Sequence, residues 1–203
     1  FCLVKVNKEL MRNLLFFLVL LIPISMPAAE APKRGIVAER TQMNIKIDGE
    51  LDEEDWVNAT IADKFTTLSP TPGNPSSFET QVRILYDDDA LYIGALMIDP
   101  EPEKIMKQLT SRDNTGNASF FKVILDTYKS GINGLAFAIT SAGVQADFKL
   151  SSEGEDENWD AIWKSSVKIT EFGWVAELEI PYSAIRFPDS EIQEWNINFG
   201  INF

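Results

Sequence analysis

Carboxylates are the most abundant reactive side chains in this chain, and imidazoles are missing altogether. Asp and Glu number 31 against 18 Lys and Arg, and there is no His. Without His, the chain cannot assemble a Ser-His-Asp triad, a Cys-His pair, or a His-ligated zinc or haem. Its single Cys, Cys2, stands upstream of the expected start, so the rest of the chain has no disulfide and no thiolate chemistry. Glycoside hydrolysis needs only two carboxyl groups. Among 31 acids, however, a suitably spaced pair is expected by chance, and none is marked as a proton donor in an apolar setting. The chain is therefore read as non-catalytic, and any glycosidase activity is assigned to another part of a longer protein.

Binding chemistry has better candidates. Arg112-Asp113 precedes a strand, where guanidinium and carboxylate can hold vicinal hydroxyls; the same two groups also suit a local ion pair that orients the loop. Trp159 and Trp163 flank Asp160 after an acidic run, and at a spacing of four they would share one face of a helical turn. They can act as a stacking platform or as a plug capping the fold, with Trp159 the more exposed of the two. Asp87-Asp88-Asp89 and the Glu155-Asp156 loop offer hard oxygen ligands for calcium. A polar hairpin turn and a solvated loop are the alternatives. A net charge of −13 argues against nucleic acid and anionic membrane surfaces as partners.

Short strands must position these residues. Ile45 and Ile47 alternate with Lys46, and Asp48-Gly49 makes a turn. Acids then open a short helix that carries Trp56 and Ala59 into a core. Ile36 to Arg40 and Thr80 to Tyr86 read as strands, as do Phe120 to Asp126, Leu135 to Thr140 and Val144 to Leu150. Ala90 to Ile98 is almost continuously apolar, as a central strand buried on both faces requires. Val167 to Thr170 and Trp174 to Ile180 form a hairpin, and Trp195, Ile197, Phe199, Ile201 and Phe203 alternate with polar Asn. The predicted fold is all-β, a two-sheet antiparallel β-sandwich with short helical plugs.

The first 31 residues read differently. Met11-Arg12 is followed by the apolar run Leu14–Ile22 and by Ala28-Ala29, the pattern of a signal peptide beginning near Met11. Residues 32–203 form the sandwich domain, expected to be cut short at Phe203 in mid-strand. Export to the periplasm, the outer membrane or the extracellular space follows.

Six stretches, in order, carry a resemblance. They are Ile47-Asp48-Gly49 with Trp56; Val82–Asp87 with Ala90–Gly94; Ser111-Arg112-Asp113 with Phe121–Tyr128; Trp159–Trp163; Gly173–Phe187; and Trp195–Phe199. Together they resemble the family 9 carbohydrate-binding modules, and most closely the version that begins large outer-membrane barrel proteins. The resemblance implies a non-catalytic module that binds poly- or oligosaccharide, linked to polysaccharide breakdown or uptake, with calcium supporting the fold. It implies as an alternative a structural or docking domain beside a C-terminal outer-membrane barrel in the same full-length chain. It also implies a sugar clamp of two Trp side chains. One clamp position falls at Asn114–Asn117, which carries no aromatic, and the other falls after Phe203.

Overall fold

A computed structural model describes residues 34–203. The signal peptide expected near Met11, and Cys2, lie outside the described residues.

Alternation in the sequence becomes two five-stranded sheets. The strands are β1 (Glu39–Arg40), β2 (Thr80–Tyr86), β3 (Ala90–Ile98), β4 (Phe120–Asp126), β5 (Gly134–Thr140), β6 (Gln145–Ser151), β7 (Gly154–Asp156), β8 (Lys164–Thr170), β9 (Gly173–Pro181) and β10 (Asn196–Asn202). One sheet runs β1-β2-β3-β9-β8 and the other β10-β4-β5-β6-β7. All neighbours are antiparallel except β1, which pairs parallel to β2. Between the sheets, Val82, Ile93, Met97, Trp174 and Leu178 meet Phe121, Val123, Phe137 and Ile139. Packing every second residue inward gives the layered sandwich that the pattern predicts. β3 lies between β2 and β9 and is buried along nearly its whole length, as its unbroken apolar run requires.

Three local expectations change. The strand expected over Ile36 to Arg40 shrinks to Glu39–Arg40. Ile45 to Ile47 does not join a ladder: its side chains, not its backbone, attach it to the sandwich. β7 was not legible, because an exposed strand of Gly-Glu-Asp needs no apolar face.

The segment from Ile45 to Ala59 builds a second, smaller core on the outer face of the β2-β3-β9 sheet. Ile45, Trp56 and Ala59 pack there against Leu85, Ala90 and Tyr92. Its helix, α1 (Glu54–Asn58), is five residues long and buries only Trp56. Gly94 makes the contact possible, since a Cβ there would lie 2.7 Å from Leu51 Cδ2 and 3.2 Å from Trp56 Cζ3.

Glu177 stands directly across from Gly94 on β9 and is fully buried under this cover. The backbone N–H groups of Asp48 and Gly49 each donate to Glu177 Oε2 at 3.0 Å. Gly49 reaches that position at φ +87°, a conformation that L side chains rarely adopt. Burial pushes the Glu177 carboxyl up to about 7; the two N–H donors pull it down, and the nearby Glu53 charge pushes it up. Glu177 Oε1 and Glu53 Oε2 are both buried without a hydrogen-bond partner. A protonated carboxyl is the form such a site favours.

Two outcomes follow from this cover. Trp56→Ala empties a fully buried indole site and should cost about 3–5 kcal/mol in urea unfolding. Glu177, with its folded value raised from 4.5 to about 7, contributes stability that is complete below pH 4.5 and is lost as pH rises through about 7. Glu177→Gln keeps an oxygen for the two N–H groups and cannot ionise. At pH 8 it should be more stable than the natural chain by about 1–3 kcal/mol, with the gain vanishing at pH 4.5. A gain independent of pH would show that Glu177 does not titrate in this window.

Candidate functional site

β6 carries the groups that organise the candidate site, and it does so by reversing the usual pattern. Gln145, Asp147 and Lys149 stand opposite Ile139, Phe137 and Leu135 on β5, on the inward face. Its apolar residues Ala146, Phe148 and Leu150 take the outward face. The Asp147 side chain is fully buried. Its Oδ1 accepts the Ala161 N–H at 2.7 Å, and its Oδ2 accepts the Trp163 indole N–H at 2.9 Å and a hydrogen bond from Arg112 Nη2. Arg112 also donates to Gln145 Oε1 at 2.7 Å and to the Ala161 carbonyl at 3.1 Å. Asp113 sits at φ +65°, its N–H donating to the Gln145 carbonyl and its Oδ1 accepting the Asp147 N–H.

This clasp sets the surroundings of several candidates, and Arg112 also lines a shallow pocket with Thr110, Gln145 and Lys164. Arg112 and Asp113 are bound into the fold through β6, which fits the loop-orienting ion pair. Trp163 is 6% exposed and edge-on to Phe137, with its N–H committed. It is a plug and offers no face to a ligand. The segment carrying both Trp residues is not helical, so Trp159 and Trp163 do not share a helix face. Asp87 spends its carboxylate on the N–H groups of Asp89 and Ala90 and on the Tyr92 hydroxyl. Burial pushes that carboxyl up, but these bonds hold it below its ordinary value. Asp88 pairs with Arg40 at 2.6 Å. Asp87-Asp88-Asp89 forms the turn between β2 and β3. Among the described residues, no three acidic side chains converge as a metal site, and Glu155 and Asp156 stand exposed on β7.

Trp159 has a different setting. It lines a cleft of ≈ 990 Å³ at the end of the sandwich where β4 finishes and β5 begins. It is half-buried, edge-on to Phe137 at 5.7 Å, and Lys149 Nζ lies over its ring 5.4 Å from the centroid. Tyr128, 60% exposed, lines the same cleft. Polar groups come from Ser130, Asn133, Asn158 and Arg186. Asp126 anchors one wall. Burial pushes its carboxyl up, but the N–H groups of Gly131 and Ser130 and the Asn196 amide hold it below its ordinary value. Thr127 Oγ1 donates to the Arg186 carbonyl and fixes the loop bearing that side chain. Glu155 and Asp156 form part of the same lining.

Neither a family model nor a curated protein matches the sequence. Solved structures do. A carbohydrate-binding module family 9 domain from Caldicellulosiruptor kristjanssonii, in complex with glucose, superposes with a TM-score of 0.59 at 18% identity, covering 84% of this chain and 78% of that one. A family 9 domain from the same organism in complex with cellotriose gives 0.57 at 16% identity, covering 83% and 76%. The fold is that of a family 9 carbohydrate-binding module. Within this family 9 fold, the clamp position expected at Asn114–Asn117 precedes Phe120, at the start of β4. The Trp159 cleft lies at the far end of that seven-residue strand, about 20 Å away.

Sequence reasoning named Trp159 as a binding residue and Glu155 and Asp156 as calcium ligands; all three line this cleft, and Tyr128, Lys149 and Arg186 were missed. An exposed Tyr immediately after a strand was the available signal for the first. Nothing local marked Lys149 or Arg186, which reach the cleft only through sheet pairing and the loop after β9.

Because Asp147 satisfies three donors at once, Asp147→Ala should cost about 3 kcal/mol or more in urea unfolding. Asp147→Asn should lose less. A cost below about 1 kcal/mol for the Ala variant would mean that the clasp does not secure the Trp159–Trp163 segment.

Proposed function

We propose that this domain is a non-catalytic carbohydrate-binding module and that the cleft between Tyr128 and Trp159 receives the sugar. The observation that carries the reading is an aromatic-flanked, polar-lined cleft on a family 9 fold. A pyranose ring presents C–H faces to aromatic carbon and hydroxyls to a polar rim, and this lining offers both. The two structural neighbours, which hold glucose and cellotriose, support the same class of ligand.

The apolar run Leu14–Ile22 with Ala28-Ala29 supports action outside the cytoplasm, in the periplasm, at the outer membrane or beyond it. In that setting the module would present glycan to a degrading enzyme or an uptake system.

Affinity gels over a broad polysaccharide panel, with calcium present, test the proposal. Retention by at least one polysaccharide is expected. Trp159→Ala and Tyr128→Ala should each weaken binding about tenfold, or about 1.4 kcal/mol; the melting temperature should stay unchanged for exposed Tyr128→Ala and fall for Trp159→Ala, which also loses its packing on Phe137. No retention on any gel would discard the proposal and leave docking beside a barrel as the reading to pursue.

A further inference from the structure

Lys149 makes an unusual choice. It pairs directly with Asp156 across the β6-β7 ladder, and opposite charges in that relation normally attract. Its ammonium instead lies over the Trp159 ring, while Asp156 Oδ1 accepts from the Asn158 N–H and side-chain amide. Arg186 behaves alike. Its loop is anchored by Thr127, yet among the described residues its guanidinium has no ion pair, although Glu153, Glu155 and Asp156 line the same cleft. In a chain where carboxylates outnumber cations 31 to 18, two cations in one cleft that pair with no carboxylate among the described residues are available to an incoming anion.

Resting on the carbohydrate-binding reading, we infer that the Trp159 cleft selects a sugar bearing an acidic substituent, with Lys149 and Arg186 as its counter-charges. The Arg fork holds the two oxygens of a carboxylate or sulfate side by side. Lys149 supplies a point charge on a flexible stem that can slide from the indole to the ligand. Trp159 takes the ring's apolar face, and the exposed carboxylates of Glu155 and Asp156 accept neighbouring hydroxyls. Those carboxylates, with Glu153 in the same lining, also set an upper limit on ligand charge. An oligosaccharide with one acidic group per sugar fits, whereas a densely sulfated polymer is repelled.

Calorimetric titration of the purified chain separates the possibilities. The probes are trigalacturonate, a singly sulfated carrageenan disaccharide and cellotriose, in 20 mM and 300 mM salt. At low salt, one acidic probe should bind at least tenfold more tightly than cellotriose, and high salt should remove most of that preference. The tighter acidic probe tells carboxylate from sulfate. Lys149→Gln and Arg186→Gln should each cut the preference about fivefold or more. Arg186→Lys should restore part of it, and Lys107→Gln, outside the cleft, should leave it intact. Circular dichroism melts confirm that each variant folds.

Equal affinities for acidic and neutral probes, or a preference indifferent to both substitutions, would overturn the inference and leave carbohydrate binding standing. Cellotriose binding alone has the same meaning. If none of these probes binds and the wider polysaccharide panel also fails, the carbohydrate-binding reading falls, and this inference falls with it.

Discussion

A buried carboxylate has to be satisfied, and Asp147 obliges much of this molecule to arrange itself accordingly. Its two oxygens take hydrogen bonds from a guanidinium, an indole and a backbone N–H. Two separate stretches of chain, the loop before β4 and the irregular segment after β7, are thereby drawn to β6. Burying an ion is tolerated only with such complete pairing. The same bonds hold Trp163 as a plug and leave Trp159, four residues earlier, at the lip of the cleft. The position of Trp159 is thus set by electrostatics several residues away from it.

A parallel arrangement governs the other side of the sandwich. Glu177 is buried against the backbone of Asp48-Gly49, and Gly94 beside it leaves room for the Trp56 ring. Both carboxylates stand at regular strand positions facing something other than solvent. One is the hub of a charged network. The other is pushed towards neutrality by burial and by Glu53. Their donors differ: Asp147 has a cation among them, and Glu177 has only dipoles.

Much of the sandwich was readable because its strands obey simple periodicity. β3 is apolar throughout and central; β10 alternates without fault and packs Ile197, Phe199 and Ile201 against the core. The candidate site was less readable, for a physical reason. β6 alternates as well as any strand, but its apolar set Ala146, Phe148 and Leu150 points away from the intersheet core, and its polar set points inward. A pattern of period two gives the faces without saying which is buried. Trp159 and Trp163 were read as a helical pair from their spacing. The acidic run before them instead closes a hairpin, and the extended chain that follows separates their environments. Tyr128 and Arg186 come together only through tertiary folding, which single-sequence spacing does not carry.

The Ile45–Ala59 cover packs on the outer face of its sheet, outside the layer where the two sheets meet. An excursion that lifts this cover uncovers Trp56 and Glu177 while Phe121, Phe137 and Trp174 stay packed. The cover is therefore a foldon of its own, with a smaller opening free energy than the sandwich beneath it. The amides of Trp56 and Ala59, which bond only within the cover, exchange with solvent hydrogen through that opening. Those of β3, β4 and β9 exchange only when the sheets themselves part.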